Sequence, residues 1–97
     1  MNEIRYRHLT MDSNGYTQLL GETLPLTHTQ SRIVCKLIEA APDPVTVIEL
    51  SETCLNTQGT GQVPVQVHAI NKIALKITGR KLIMNQRNVG YYLNIWM

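Results

Sequence analysis

The chain has 97 residues, enough for one small domain and too few for two. Hydrophobic residues make up 43%, close to the globular average, and the 16% charged content with a net charge of +2 excludes a disordered polyelectrolyte. No apolar run exceeds three residues and no charged head with an apolar stretch opens the chain, which excludes a membrane span and a secretory signal and points to a soluble, cytoplasmic domain.

The first 26 residues read as a small antiparallel sheet of three short strands. Ile4-Arg5-Tyr6-Arg7 alternates, and Leu9 and Met11 extend the same rhythm of two. Asp12-Ser13-Asn14-Gly15 is a turn cluster, since Asn and Gly tolerate positive φ and Asp and Ser bond their own backbone. Tyr16 to Leu20 forms a second strand, Gly21-Glu22 turns, and Thr23 to Leu26 forms a third.

From Thr27 the period changes. Ile33, Val34, Leu37, Ile38 and Ala41 fall on one stripe of a helix that Pro42 ends, and Thr27 with Gln30 fits a capping box. A second box at Thr46 and Glu49 opens a helix through about Asn56 that buries Leu50, Cys54 and Leu55. Thr57 to Gly61 is a short loop. The third helix runs from about Gln62 or Val63 to Thr78, with Pro64 tolerated in its first turn and Gly79 as its stop. Val63, Val67, Ile70, Ala74 and Ile77 make its buried stripe, leaving Val65, His68, Ala69, Lys72 and Lys76 pointing outward at about 100° per residue. Leu82 to Met84 and Tyr91 to Trp96 close the chain as a hairpin whose tip carries Arg87.

Charge is unevenly spread along this order. Through Thr60 four basic residues stand against seven acids, whereas from Gly61 onward five basic residues meet no acid. A basic carboxyl third fits a surface for phosphate or an acidic partner, or a solvated run of lysines. Cys35 and Cys54 lie in apolar segments with no C-x-x-C spacing and read as core residues. His8, His28 and His68 are scattered without an i, i+4 pair, so no metal and no cofactor is expected. Paired carboxylates beside a histidine, a G-x-S-x-G elbow, a P-loop and a dinucleotide fingerprint are all missing, and no enzyme is expected.

The order sheet, helix, helix, helix, hairpin resembles an α+β winged helix-turn-helix. More closely, the chain resembles the OmpR/PhoB-type DNA-binding domain, the output half of bacterial response regulators. Leu24-Pro25-Leu26-Thr27 with Gln30 is similar to that family's leucine-threonine entry to its first helix. Pro44 to Leu50 is similar to the valine-serine-x-x-x-leucine entry to its second. Val63-Pro64-Val65-Gln66-Val67-His68-Ala69-Ile70-Asn71-Lys72 lies on the recognition-helix stretch, and Arg87-Asn88-Val89-Gly90-Tyr91 resembles the arginine-glycine-x-glycine-tyrosine of the wing. The likeness spans residues 1–97 as one domain: sheet over 1–26, helices over 27–79 and wing over 80–97.

The resemblance implies a transcription regulator that binds double-stranded DNA, with the third helix in the major groove and the wing arginine in the minor groove. Val65, Gln66, His68, Ala69, Asn71 and Lys72 hold the matching outward positions, with Lys76 beyond them as a phosphate ligand. Arg87 holds the wing position, and Asn85 and Tyr91 match groups that bind phosphate there. Each has a plainer reading. His68 is an exposed helix residue or a phosphate contact strengthened by protonation, Lys72 and Lys76 are solvated or phosphate-bound, and Tyr91 is a core tyrosine or a phosphate contact.

The recognition-helix arginines of the family are replaced by His68, Ala69 and Asn71, removing the bidentate guanine mode. Gln66 or Asn71 then pairs with adenine and Val65 or Ala69 touches a thymine methyl, which points to an A·T-rich site. Asn88 replaces a wing glycine and tolerates positive φ. The Gly59 to Gly61 loop is a connector or, by position, a contact for RNA polymerase. Met1 opens almost directly onto the first strand, so a stand-alone output domain is expected, with control by abundance, by another regulator or by head-to-tail pairing on DNA. The alternative is a winged-helix protein-interaction module that modulates another regulator without specific DNA binding.

Overall fold

The computed structural model describes residues 3–55 and 61–93. Six strands and three helices follow the expected order, with two local departures. The expected end of the second helix at Asn56, the loop residues 57–60 and the last strand residues 94–96 lie outside the described residues.

The amino-terminal sheet has four strands, not three: β1 (Ile4–Tyr6), β2 (Leu9–Met11), β3 (Thr17–Leu19) and β4 (Glu22–Leu24), antiparallel in that order. What reads as one alternating strand folds back at Arg7, whose φ of 56° makes the turn. Pairing Ile4 with Met11 and Tyr6 with Leu9 keeps the apolar alternation in phase across that turn. Leu9, Met11, Thr17, Leu19 and Leu24 face the helices and are buried.

Helix α1 (His28–Ala40) starts on the expected capping box. Thr27 Oγ1 accepts from Gln30 N, and Gln30 Oε1 accepts from Thr27 N. It buries Ile33, Val34, Leu37 and Ile38. Helix α2 (Val47–Leu50) is capped by Thr46, whose Oγ1 accepts from Glu49 N at 3.1 Å. The reciprocal half of that box does not form, because the Glu49 carboxylate goes to Lys36 Nζ at 3.2 Å.

After Leu50 the helix widens into a π-helical turn, Ser51–Leu55. Within it Thr53 Oγ1 donates to Glu49 O at 2.7 Å. Ser51 and Cys54 are buried and Leu55 is half-buried. Helix α3 (Gln62–Thr78) buries Val63, Val67, Ile70 and Ala74 and stops at Gly79, which sits at φ 80° and donates its N–H to Leu75 O. Ile77, at the end of the expected stripe, is partly buried.

Strands β5 (Ile83–Gln86) and β6 (Gly90–Leu93) form the carboxyl-terminal hairpin. One core joins the layers. Leu9 and Leu19 from the sheet, Ile33 and Leu37 from α1, Leu50 and Ile70 from α2 and α3, and Leu82 and Leu93 from the hairpin are all fully buried. Among the described residues no helix is long and apolar enough to cross a membrane.

Candidate nucleic-acid interface

Helix α3 presents a mixed outward stripe. Val65, Ala69, Lys72 and Lys76 fall within about 60° of arc at 100° per residue. Val65 is 55% exposed, His68, Lys72 and Lys76 are exposed, and Ala69 is half-buried. The stripe is therefore apolar toward the start of the helix and cationic toward its end. Among the described residues no carboxylate engages either lysine.

Two expected base readers are committed elsewhere. Asn71 is half-buried on the flank of α3. Its Oδ1 accepts from Leu82 N at 3.1 Å and Ile83 N at 2.8 Å, and its Nδ2 donates to Ile83 O at 2.9 Å. An adenine-pairing amide needs both its donor and its acceptor free, so Asn71 is corrected from base reader to the anchor of β5 on α3. Gln66 is half-buried, and its Oε1 accepts from Gln30 Nε2 at 3.2 Å. That bond takes one of the two lone pairs of Oε1, so bidentate pairing of Gln66 with adenine would share this oxygen with Gln30. The Gln66 amide hydrogens stay available.

The hairpin is fixed at its other strand too. Tyr91 N donates to Val45 O at 2.9 Å and Val45 N donates to Tyr91 O at 2.8 Å, tying β6 to the residue before the Thr46 cap. Gly90 permits that approach, since a Cβ there would lie 2.0 Å from Val45 O. Tyr91 is only 9% exposed and belongs to the core cluster, so the structure favours its reading as a core tyrosine. Asn85 and Arg87 are exposed at the hairpin end, and Asn88 takes φ 65° in the turn, as an asparagine tolerates.

Sequence reasoning missed three contributors to this surface. Gln30, read only as a cap, also holds Gln66. Ile48 on α2 is 62% exposed, and Val89 at the hairpin tip is 43% exposed. Both line a shallow cleft with Thr46, Asn85 and Tyr91. Exposed apolar residues at a helix entry and a turn tip are the signal that could have found them.

Outside this surface, Cys35 is a half-buried and Cys54 a buried free thiol. Burial foremost, then the nearby Glu39 carboxylate and Cys54, push the Cys35 thiol pKa up, with Lys36 opposing. Among the described residues no three His, Cys, Asp or Glu side chains come together as a metal set.

No protein-family model matches the chain, and no curated protein matches it in sequence. Solved structures do. The DNA-binding domain of the response regulator AdeR, crystallised with an intercistronic region, superposes with a TM-score of 0.82 at 26% identity, covering 93% of this chain and 97% of that one. The Klebsiella pneumoniae RstA DNA-binding domain, in complex with the RstA box, gives 0.79 at 22% identity over 96% and 97% of the two chains. The DNA-binding domain of CpxR from E. coli gives 0.79 at 19% identity over 96% of each. Four-stranded sheet, three helices and terminal hairpin match these domains, and in fold this chain is a winged helix-turn-helix domain, similar to the DNA-binding domains of OmpR/PhoB-family response regulators.

Proposed function

We propose that this chain is a sequence-specific regulator of transcription that binds double-stranded DNA, with α3 in the major groove and Arg87 of the wing in the minor groove. The observation that carries the reading is the uncommitted outward stripe of α3, Val65 to Lys76, beside a hairpin pinned to both α3 and the α2 entry. A rigid wing beside an exposed helix offers two reading elements at a fixed separation. The likeness to domains solved on DNA supports the same reading. Its chemistry is that of binding and not of catalysis.

In this arrangement Val65, Gln66 and Ala69 face base edges, while His68, Lys72 and Lys76 lie toward phosphates. Asn85 reaches phosphate beside the wing. Tyr91 contributes through the hairpin it holds. RNA polymerase or another regulator is a further proposed partner, as is a second copy bound head-to-tail on DNA. A second reading, a protein-interaction module, draws on the exposed apolar side chains of Val65 and Ile48.

Selection from a random duplex pool, followed by titrations of winners and scrambles at two salt concentrations, tests the first reading against the second. With roughly three to five phosphates contacted, log K falls with log salt at a slope of about −3 to −4.5, and Lys72→Ala flattens that slope by about 0.9. Arg87→Ala weakens the selected site. No enriched motif, with Arg87→Ala indifferent, would move the assignment to the interaction module.

A further inference from the structure

Two amides of α3, Gln66 and Asn71, have their oxygens engaged by the protein's own scaffold. Gln66 Oε1 receives the Gln30 amide at 3.2 Å, and Gln30 is itself only 7% exposed, with its Oε1 holding Thr27 N–H at 3.0 Å. Gln30 therefore sets the Gln66 amide with Nε2 outward. Asn71 Oδ1 receives two backbone N–H groups of the hairpin. Toward the start of this side of the helix stand two apolar groups, Val65 and Ala69, one turn apart, with the exposed Gln62 one turn before them and Lys72 beyond. Beside the apolar pair are the Gln66 Nε2 hydrogens, which meet no acceptor among the described residues. The ring of His68 lies on the opposite flank of Val65, about 60° away and farther from Gln66.

The four bases make different demands in the major groove. Adenine asks for a donor and an acceptor together, cytosine for an acceptor, and guanine for donors to O6 and N7, which in the α3 stripe only Lys72 and Lys76, beyond the apolar pair, could supply. Thymine alone sets an apolar C5-methyl beside a single acceptor, O4. That is the complement of two apolar groups beside an amide donor.

We infer that α3 reads thymine, by methyl contact with Val65 and Ala69 and a hydrogen bond from Gln66 Nε2 to O4. The inference rests on the DNA-binding reading above and supplies the base preference it leaves open. Gln30 is a positioning residue in this scheme, acting through Gln66 and touching no DNA.

The experiment runs the full chain against two random-sequence duplex pools, one built with thymine and one with deoxyuridine at every thymine. Winners of the thymine pool are then remade with uracil at single positions. Burial of one methyl corresponds to about 0.8 kcal/mol, so each contacted thymine is expected to lose roughly fourfold in affinity as uracil, and a pair about 15-fold. Val65→Ala is expected to shrink the thymine–uracil difference. Replacing a read thymine–adenine pair by a 5-methylcytosine–guanine pair keeps the methyl and puts an N–H donor in place of O4. The native chain is expected to bind that duplex more weakly, and Gln66→Leu to distinguish the two less.

An enriched motif indifferent to uracil at every position overturns the inference and leaves the regulator reading standing. Equal binding of thymine and 5-methylcytosine duplexes by the native chain removes Gln66 from the scheme. No motif from either pool overturns the DNA-binding reading itself.

Discussion

Gly90→Ala isolates the contact that seats the wing. A Cβ at Gly90 would stand 2.0 Å from Val45 O, 2.6 Å from Val45 C and 2.9 Å from Thr46 Cα. All three neighbours are backbone, so no side chain can rotate away. Relief requires β6 to separate from the Val45 segment, which breaks the two hydrogen bonds of 2.8 and 2.9 Å between Val45 and Tyr91. At about 1 kcal/mol each, with about 1–3 kcal/mol for overpacking, the substitution costs about 3–5 kcal/mol. A domain of this size holds about 5–15 kcal/mol in total, so urea melts of Gly90→Ala should show most of a modest stability gone. Gly79→Ala is the matched control. Its φ of 80° carries strain, yet nothing lies within 4 Å of a Cβ there, so about 1 kcal/mol is expected. If Gly90→Ala loses no more stability than Gly79→Ala, the close approach is not what seats the wing.

Two further substitutions probe the scaffold. Asn71→Ala leaves the N–H groups of Leu82 and Ile83 without their acceptor beside fully buried side chains, and is expected to cost about 2–4 kcal/mol. Amide exchange at Leu82 and Ile83 should rise; unchanged protection there contradicts the anchoring role. The raised Cys35 pKa means that the folded thiol keeps its proton where the unfolded thiol loses it. Its stabilising contribution is full below the ordinary thiol range and is lost as pH climbs through the folded value. Thermal melts should accordingly fall more steeply from pH 8 to 10 for the native chain than for Cys35→Ala, and parallel slopes would exclude the effect.

Local signals on the chain were enough for α1 and α3. The Thr27–Gln30 box and Gly79 mark their ends because capping and left-handed stops involve residues three or four apart. The turn at Arg7 escaped because a two-residue reversal preserves the alternation on both sides, and neither Arg7 nor His8 is a customary turn residue. The π-helical turn escaped because hydrophobic spacing does not record a change of backbone hydrogen-bond register within a single turn. The family resemblance, not helical phase, makes Asn71 an outward reader, and its actual partners lie 11 and 12 residues downstream, where the hairpin packs against the helix. Gln30 and Gln66 meet across 36 residues. Polar roles fixed by such distant pairings become visible only once the layers are assembled.

The paired hydrogen bonds between Val45 and Tyr91 also make the domain a ruler. Because β6 is fastened to the entry of α2, the tip carrying Arg87 cannot slide relative to α3 without unseating the helix-turn-helix. On a duplex bound as proposed, the step from the α3 contacts to the wing contact would be set by the protein, not negotiated with the DNA. Inserting one base pair between those two contacts displaces them by about 3.4 Å along the axis and also rotates one about it. A tethered but mobile wing would follow such a change. A fastened one treats spacing as part of the sequence it recognises, so the length of the unread gap carries information even where no side chain touches a base.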